Sequence, residues 1–354
     1  MDICAKITGI KYTPFLCREL HSYNIKTFDK AISQEATFLL DCDNKNKIAV
    51  SWWVSPKRTR SYPYSRVYDS LDFSGKKVTI IPILKDEGKD GDRDFLQWDT
   101  VSLMSLLGVY VIISYYDNAI PSSRYKKKIT EQRFNMEQVK NEIEKLLSYQ
   151  SDALHWNLSQ IENIGEIGKK ALQSYANISK ELKIEMHSVK YSLGRIEVLF
   201  KGKGAFMDSS RKRAEEAQSR EILTIQPKEK LSGAKARITI KNYLGGNYYF
   251  TVDEAIIKEK NLYLIEGKHT RDSNLPAVGD IKDGLLKMIL YTNLVDVNIF
   301  NVEKYTTVPV LKLTTGNNFK YPITEEPKDE TLNLLKKEAR INGFKVLINK
   351  DFVC

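Results

Sequence analysis

The segment from Tyr248 to His269 constrains the fold more than any other part of the chain. Tyr248 to Ile257 and Asn261 to Lys268 are two runs rich in β-branched, apolar and aromatic side chains, with a short polar break at Lys258-Glu259-Lys260 between them. That pattern predicts two antiparallel strands joined by a tight turn. With the turn centred on Glu259-Lys260, cross-strand partners carry numbers that sum to 519, so Asp253 lies opposite Glu266. Directly opposed residues share a face, with Cβ atoms ~4.5–5.5 Å apart. Alternation then brings Lys268 to that same face and turns Glu254 to the other one.

A two-stranded hairpin is marginal alone and needs a larger sheet around it. The flanking sequence supplies one. Ser209 or Ser210 caps a predicted helix through Glu215, Glu216 and Glu221 to about Thr224, and Ala236 to Tyr243 reads as a strand before the Gly245-Gly246 turn. Beyond the hairpin, Val278 to Tyr291 reads as a helix with Ile281, Leu285 and Met288 on one face. Val295 to Val302 and Val308 to Leu313 are strand candidates, Glu330 to Arg340 a helix and Phe344 to Ile348 a last strand. The expected order is α-β-β-β-α-β-α-β, with further strand material after the second helix: an α/β fold whose C-terminal mixed sheet is flanked by helices.

At 354 residues the chain has room for a second domain. Ala36 to Leu40 and Ile48 to Val54 suggest a hairpin around Asp43-Asn44-Lys45-Asn46. Val78 to Leu84 and Tyr110 to Tyr115 read as strands, Lys85 to Arg93 as a loop and Thr100 to Leu107 as a helix. Residues 1–134 are expected to form an N-terminal α/β domain. From Asn135 helical spacing takes over, as in Val139, Ile143, Leu146, Leu147 and later Ile161, Ile164 and Ile167, so residues 135–200 are expected to be a helical connector, either a bridge between domains or a dimerisation surface. Residues 201–354 are expected to form the C-terminal domain.

Lys and Arg outnumber Asp and Glu by 55 to 45, and the resulting net charge of +10 favours polyanionic partners, nucleic acid first. Cys4, Cys17, Cys42 and Cys354 form no Cys-x-x-Cys pair and no Cys/His cluster of zinc-ligand spacing, which argues against a structural zinc. No cationic start followed by an apolar stretch and a cleavage site is seen, and no apolar run approaches the ~18 residues of a membrane span, so no membrane partner is expected and the chain reads as cytoplasmic.

Two carboxylates on adjacent strands suit a hard cation such as Mg²⁺, with Mn²⁺ as a substitute. A cation there, together with Lys268, can hold a water, lower its pKa and stabilise a phosphate under attack, which is the chemistry of phosphodiester hydrolysis. On these residues the chain resembles the PD-(D/E)xK nuclease superfamily, which includes most type II restriction endonucleases. Asp253 matches the first acidic residue of the motif, Glu266-Gly267-Lys268 the ExK tripeptide, and the surrounding order of elements the common core. The resemblance covers residues 205 to 350 and departs from the pattern at Val252, where the name-giving proline would stand, and at Gly267, where a larger apolar residue is common.

What the resemblance implies is a Mg²⁺-dependent endonuclease with a restriction-endonuclease-like core, cutting double-stranded DNA at a specific sequence as a homodimer. Asp253, Glu266 and the Gly267 carbonyl would be metal ligands and Lys268 the residue assisting the water. Some relatives place a further acidic residue in the preceding helix; Glu216 is the candidate if one contributes, the other reading being a solvated helix face. The alternatives are a repair, recombination or transposition nuclease on the same core, and a non-catalytic DNA-binding protein.

For DNA contact, Lys57, Arg58, Arg60, Tyr62 and Arg66 lie in a run of cations and aromatics that includes Trp52 and Trp53. The competing reading is an exposed basic loop with the tryptophans in the core. Lys201, Lys203 and Arg211 sit beside the C-terminal domain and are candidates to track the cut strand.

Overall fold

The computed structural model describes residues 1–43, 46–58, 61–200, 203–223, 234–242, 246–272, 274–299, 303–316, 319 and 328–354. Both units of the chain are mixed α/β; one comprises residues 1–19 with 212–354, the other residues 20–211. Among the described residues no helix is long and apolar enough to cross a membrane.

The first unit is built on β1 (Asp2–Ile7), the C-terminal part of α1 (Lys203–Leu223), β2 (Ala234–Asn242), β3 (Asn247–Lys258), β4 (Asn261–His269), α2 (Val278–Tyr291), β5 (Val295–Ile299), β6 (Glu303–Lys304), β7 (Thr306–Thr314), α3 (Lys328–Asn342), β8 (Lys345–Ile348) and β9 (Asp351–Phe352). Nine strands form one mixed sheet in the order β6-β5-β1-β2-β3-β4-β7-β8-β9. Strands β2, β3 and β4 are an antiparallel meander, whereas β4, β7 and β8 run parallel, with α3 as the crossover between the last two. The observed order of elements is the expected one, with β5 and β6 as the additional strand material.

The hairpin register agrees with the expectation. Glu254 pairs with Ile265, Ala255 with Leu264 and Lys258 with Asn261, each pair summing to 519. Glu259 takes a positive φ of 56° in the turn. Helix α2 covers one face, where Ile281, Leu285 and Met288 are fully buried. A helix buried over most of its circumference cannot choose its solvent face by polarity alone, so any lysine in it must find partners inside.

The expected N-terminal domain of residues 1–134 is corrected at its start. Strand β1 lies inside the C-terminal sheet, parallel to β2 with Asp2 beside Arg237 and Ile7 beside Asn242, and antiparallel to β5. Asp2 also accepts from the Arg237 guanidinium at 2.8 Å. The chain that follows is pinned by the fully buried Glu338 on α3, whose carboxylate accepts from the Tyr12 hydroxyl at 2.6 Å and the Phe15 amide at 2.8 Å.

The second unit carries a five-stranded sheet in the order Ser22–Asn24, Thr37–Asp41, Lys47–Trp52, Lys77–Pro82 and Val109–Ser114. The expected hairpin and the two later strands are present, while the polar stretch after Val78 to Leu84 is bracketed by a short pairing of Leu84–Asp86 with Arg93–Phe95. The connector is also corrected. Helices Met136–Ser148, Ala153–Glu162, Ile164–Leu182 and Val189–Phe200 belong to this unit: the first two pack on Val109–Ser114, the third on Tyr116–Pro121, and the fourth on the third. Asn157 accepts from the Val111 amide at 2.6 Å and donates to the Val109 carbonyl at 3.0 Å, so a helix satisfies the free edge of Val109–Ser114.

A fragment of residues 212–354 therefore lacks a strand from the middle of its sheet. It is expected to give an unfolded or aggregating product by circular dichroism and NMR, while residues 1–19 joined to it by a flexible linker fold. A dispersed, cooperative spectrum from 212–354 alone would contradict this topology.

Candidate active site

Strands β3 and β4 bring the predicted residues together. The Gly267 amide donates to the Asp253 carboxylate at 2.9 Å, which fixes Asp253 across the ladder from the Glu266-Gly267-Lys268 segment. Lys268 reaches back to Glu266 at 3.1 Å and forward to Asp283 of α2 at 3.3 Å. From the next turn of that helix, Lys287 meets the other Glu266 oxygen at 2.6 Å. Glu266 is almost wholly buried, so both its oxygens are served by ammonium groups, while Asp253 is held by an amide.

Gly284 lets this happen. A Cβ there would lie 2.7 Å from a Leu311 methyl carbon and 3.2 Å from Lys268 Cε, so the missing side chain is the channel through which the Lys268 stem passes.

The charges are unequal in number. Three carboxylates, Asp253, Glu266 and Asp283, face two ammonium groups, Lys268 and Lys287, which leaves one negative charge over when all are ionised. Burial works against a charged Glu266, but Lys287 and Lys268 outweigh it and hold the carboxyl below its usual range. For both lysines burial likewise opposes the charge; Glu266 and a second carboxylate outweigh it and keep them protonated. Asp253 takes up the imbalance: burial and the neighbouring Glu266 push it up to about 7. Burial also raises Asp283.

This donor set fits a divalent cation. Asp253 and Glu266 offer hard oxygens from adjacent strands, and the uncompensated negative charge is what a cation would neutralise. Among the described residues no three His, Cys, Asp or Glu side chains are placed to hold a metal ion together, so two carboxylates and backbone carbonyls such as that of Gly267 are the ligands on offer. Glu216 is exposed on α1; on the same helix Glu215 accepts from the Tyr249 hydroxyl of β3 at 2.8 Å and Gln218 donates to the Phe250 carbonyl at 2.7 Å.

Glu254 lies on the opposite face, as alternation requires, and there it is buried against Lys312 of β7 at 3.1 Å. Its part is therefore a structural one, that of a buried ion-pair partner.

Sequence reading missed Asp283 and Lys287. The signal was a single lysine inside the apolar run Leu285 to Leu290, four residues after an acid, a spacing that also describes any helix-surface pair.

In the other unit, the expected DNA-contacting residues divide. Lys57 and Tyr62 are exposed. Arg58 lies 3.2 Å from the buried Asp99, and Arg66 stacks 4.3 Å from the Trp52 ring and donates to the Trp52 carbonyl at 2.8 Å, so both guanidiniums are used inside the fold. Trp53 is fully buried, as the competing reading held. Arg211 pairs with Asp208 at 3.4 Å. Arg60 and Lys201 lie outside the described residues; Lys203 opens α1.

No protein-family model, curated protein or solved structure matches this chain.

Glu254→Ala leaves Lys312 buried without its carboxylate and is expected to cost about 3–5 kcal/mol in denaturant unfolding. The double replacement Glu254→Met with Lys312→Met should recover most of that loss. Full stability in the single variant would contradict the buried pair.

Proposed function

We propose that this chain is a divalent-metal-dependent DNA endonuclease whose active site is Asp253, Glu266 and Lys268. The observation that carries the reading is the convergence of these three side chains on one face, where the carboxylates outnumber the ammonium groups by one and Asp253 is pushed up to about 7. The basic composition and the order of elements around the hairpin support it.

On this reading Asp253, Glu266 and the Gly267 carbonyl hold Mg²⁺, with Mn²⁺ as a substitute. When bound, the ion supplies a Lewis acid for the scissile phosphate and acidity for the attacking water. Lys268, protonated and fixed between Glu266 and Asp283, directs its ammonium at the same face and offsets charge building on the phosphate oxygens. Lys287 keeps Glu266 ionised and anchored to α2, so that it is preorganised as a donor. Gly284 preserves the path of Lys268. We further propose double-stranded DNA as the substrate, cut at a specific sequence by a homodimer, since cutting both strands at one site calls for two such centres.

Incubation of the purified chain with plasmid and Mg²⁺ should give discrete fragments, and EDTA should stop cleavage; undiminished cutting in excess EDTA would overturn the assignment.

Asp253→Ala, Glu266→Ala and Lys268→Ala should each lower the single-turnover rate on the order of 10³-fold or more, with DNA binding retained. Gly284→Ala, which crowds the Lys268 stem, should lower the rate less steeply in a chain that still folds. Normal rates in all four variants would place the chemistry elsewhere.

A further inference from the structure

The second unit contains a cavity of about 210 Å³ that the nuclease site does not use. Its wall combines the apolar Leu84, Leu172 and Met186 with the Tyr175 ring and His187. That volume exceeds the ~150 Å³ that accommodates a benzene ring and falls short of the ~300 Å³ at which sites for drug-sized molecules begin. A single flat heterocycle is the ligand it fits.

His187 gives the cavity its polar edge. Its Nδ1–H donates to Asp86 at 2.8 Å, and Asp86, nearly fully buried, also accepts from the Gly88 amide at 2.9 Å. A carboxylate on Nδ1 fixes the ring and its tautomer, leaving Nε2 as an acceptor for an N–H group on the bound ring. Every nucleobase carries such a donor along its edge.

The surroundings point the same way. Ser192 lines the cavity and accepts from Arg93 at 3.3 Å. The Arg93 guanidinium lies 4.5 Å from the ring of Tyr191, itself half exposed, and that of Arg195 lies 4.5 Å from the Phe95 ring. Guanidiniums layered on aromatic faces beside a ring-sized cavity are the recognition chemistry of a phosphate-linked base.

We propose that this cavity is a nucleobase-binding site, with His187 reading the base edge and Arg93 and Arg195 meeting the adjoining phosphates. In DNA the base would enter by leaving the stack, as enzymes that inspect single bases require. That last step rests on the nuclease reading, whereas affinity for a free nucleoside does not.

The test is ligand-observed NMR on the full chain with each of the four deoxynucleosides, and with indene as an apolar fused ring of similar size that carries no N–H. At least one deoxynucleoside should bind saturably. Ala176, exposed at the rim on helix Ile164–Leu182, can be enlarged without touching the core, so Ala176→Phe should abolish binding. His187→Gln, which can still serve Asp86, should weaken nucleoside binding roughly tenfold, the worth of one ordinary hydrogen bond, and leave indene unaffected. Asp253→Ala should bind nucleosides as the parent does, which separates failure of this site from failure of the nuclease reading. Absence of nucleoside binding to the folded parent, or binding undiminished in both cavity variants, would overturn the proposal.

Discussion

The proposed chemistry depends on how one sheet face manages buried charge. Burying a carboxylate is costly unless a cation or hydrogen bonds meet it, and here three carboxylates meet two ammonium groups. Glu266 receives both, so the shortfall falls on Asp253, whose ionisation is pushed up to about 7 by burial and by Glu266. A site balanced by lysines alone would be a structural ion-pair network; on the proposed reading, the positive charge that this one lacks is supplied by the bound cation. On the other face of the same sheet the Glu254–Lys312 pair is balanced one to one and has no such demand.

The hairpin and its register were legible because alternation and a short polar turn are local signals. Helix α2 was legible for the same reason, through the spacing of Ile281, Leu285 and Met288. The partners of the site on that helix were not, since Asp283 and Lys287 at a four-residue spacing look like a surface pair, and only the position of α2 over β4 makes them internal. Strand β1 was invisible: Asp2–Ile7 is six residues long, and its neighbours Arg237 and Ile299 are distant in sequence. Helices from Met136 to Phe200 were identified as helices but not as part of the preceding α/β unit, because an amphipathic face does not say which surface covers it.

The basic run from Lys57 to Arg66 shows how composition overstates available charge. Arg58 and Arg66 sit against Asp99 and Trp52, where stem packing, ring stacking and hydrogen bonds hold the guanidiniums within the unit. Lys57 and Tyr62 stay exposed. Arg93, Arg195 and Tyr191 lie far from that run in sequence and share no motif with it, yet they gather on one surface around Phe95.

Direct titration of the cation tests the central claim. Isothermal titration of the purified chain with Mn²⁺, without DNA, should show one site per chain, and Asp253→Asn, which removes the carboxylate that carries the imbalance while keeping its shape, should abolish it. Equal Mn²⁺ binding by both proteins, or none by the parent, would contradict the account.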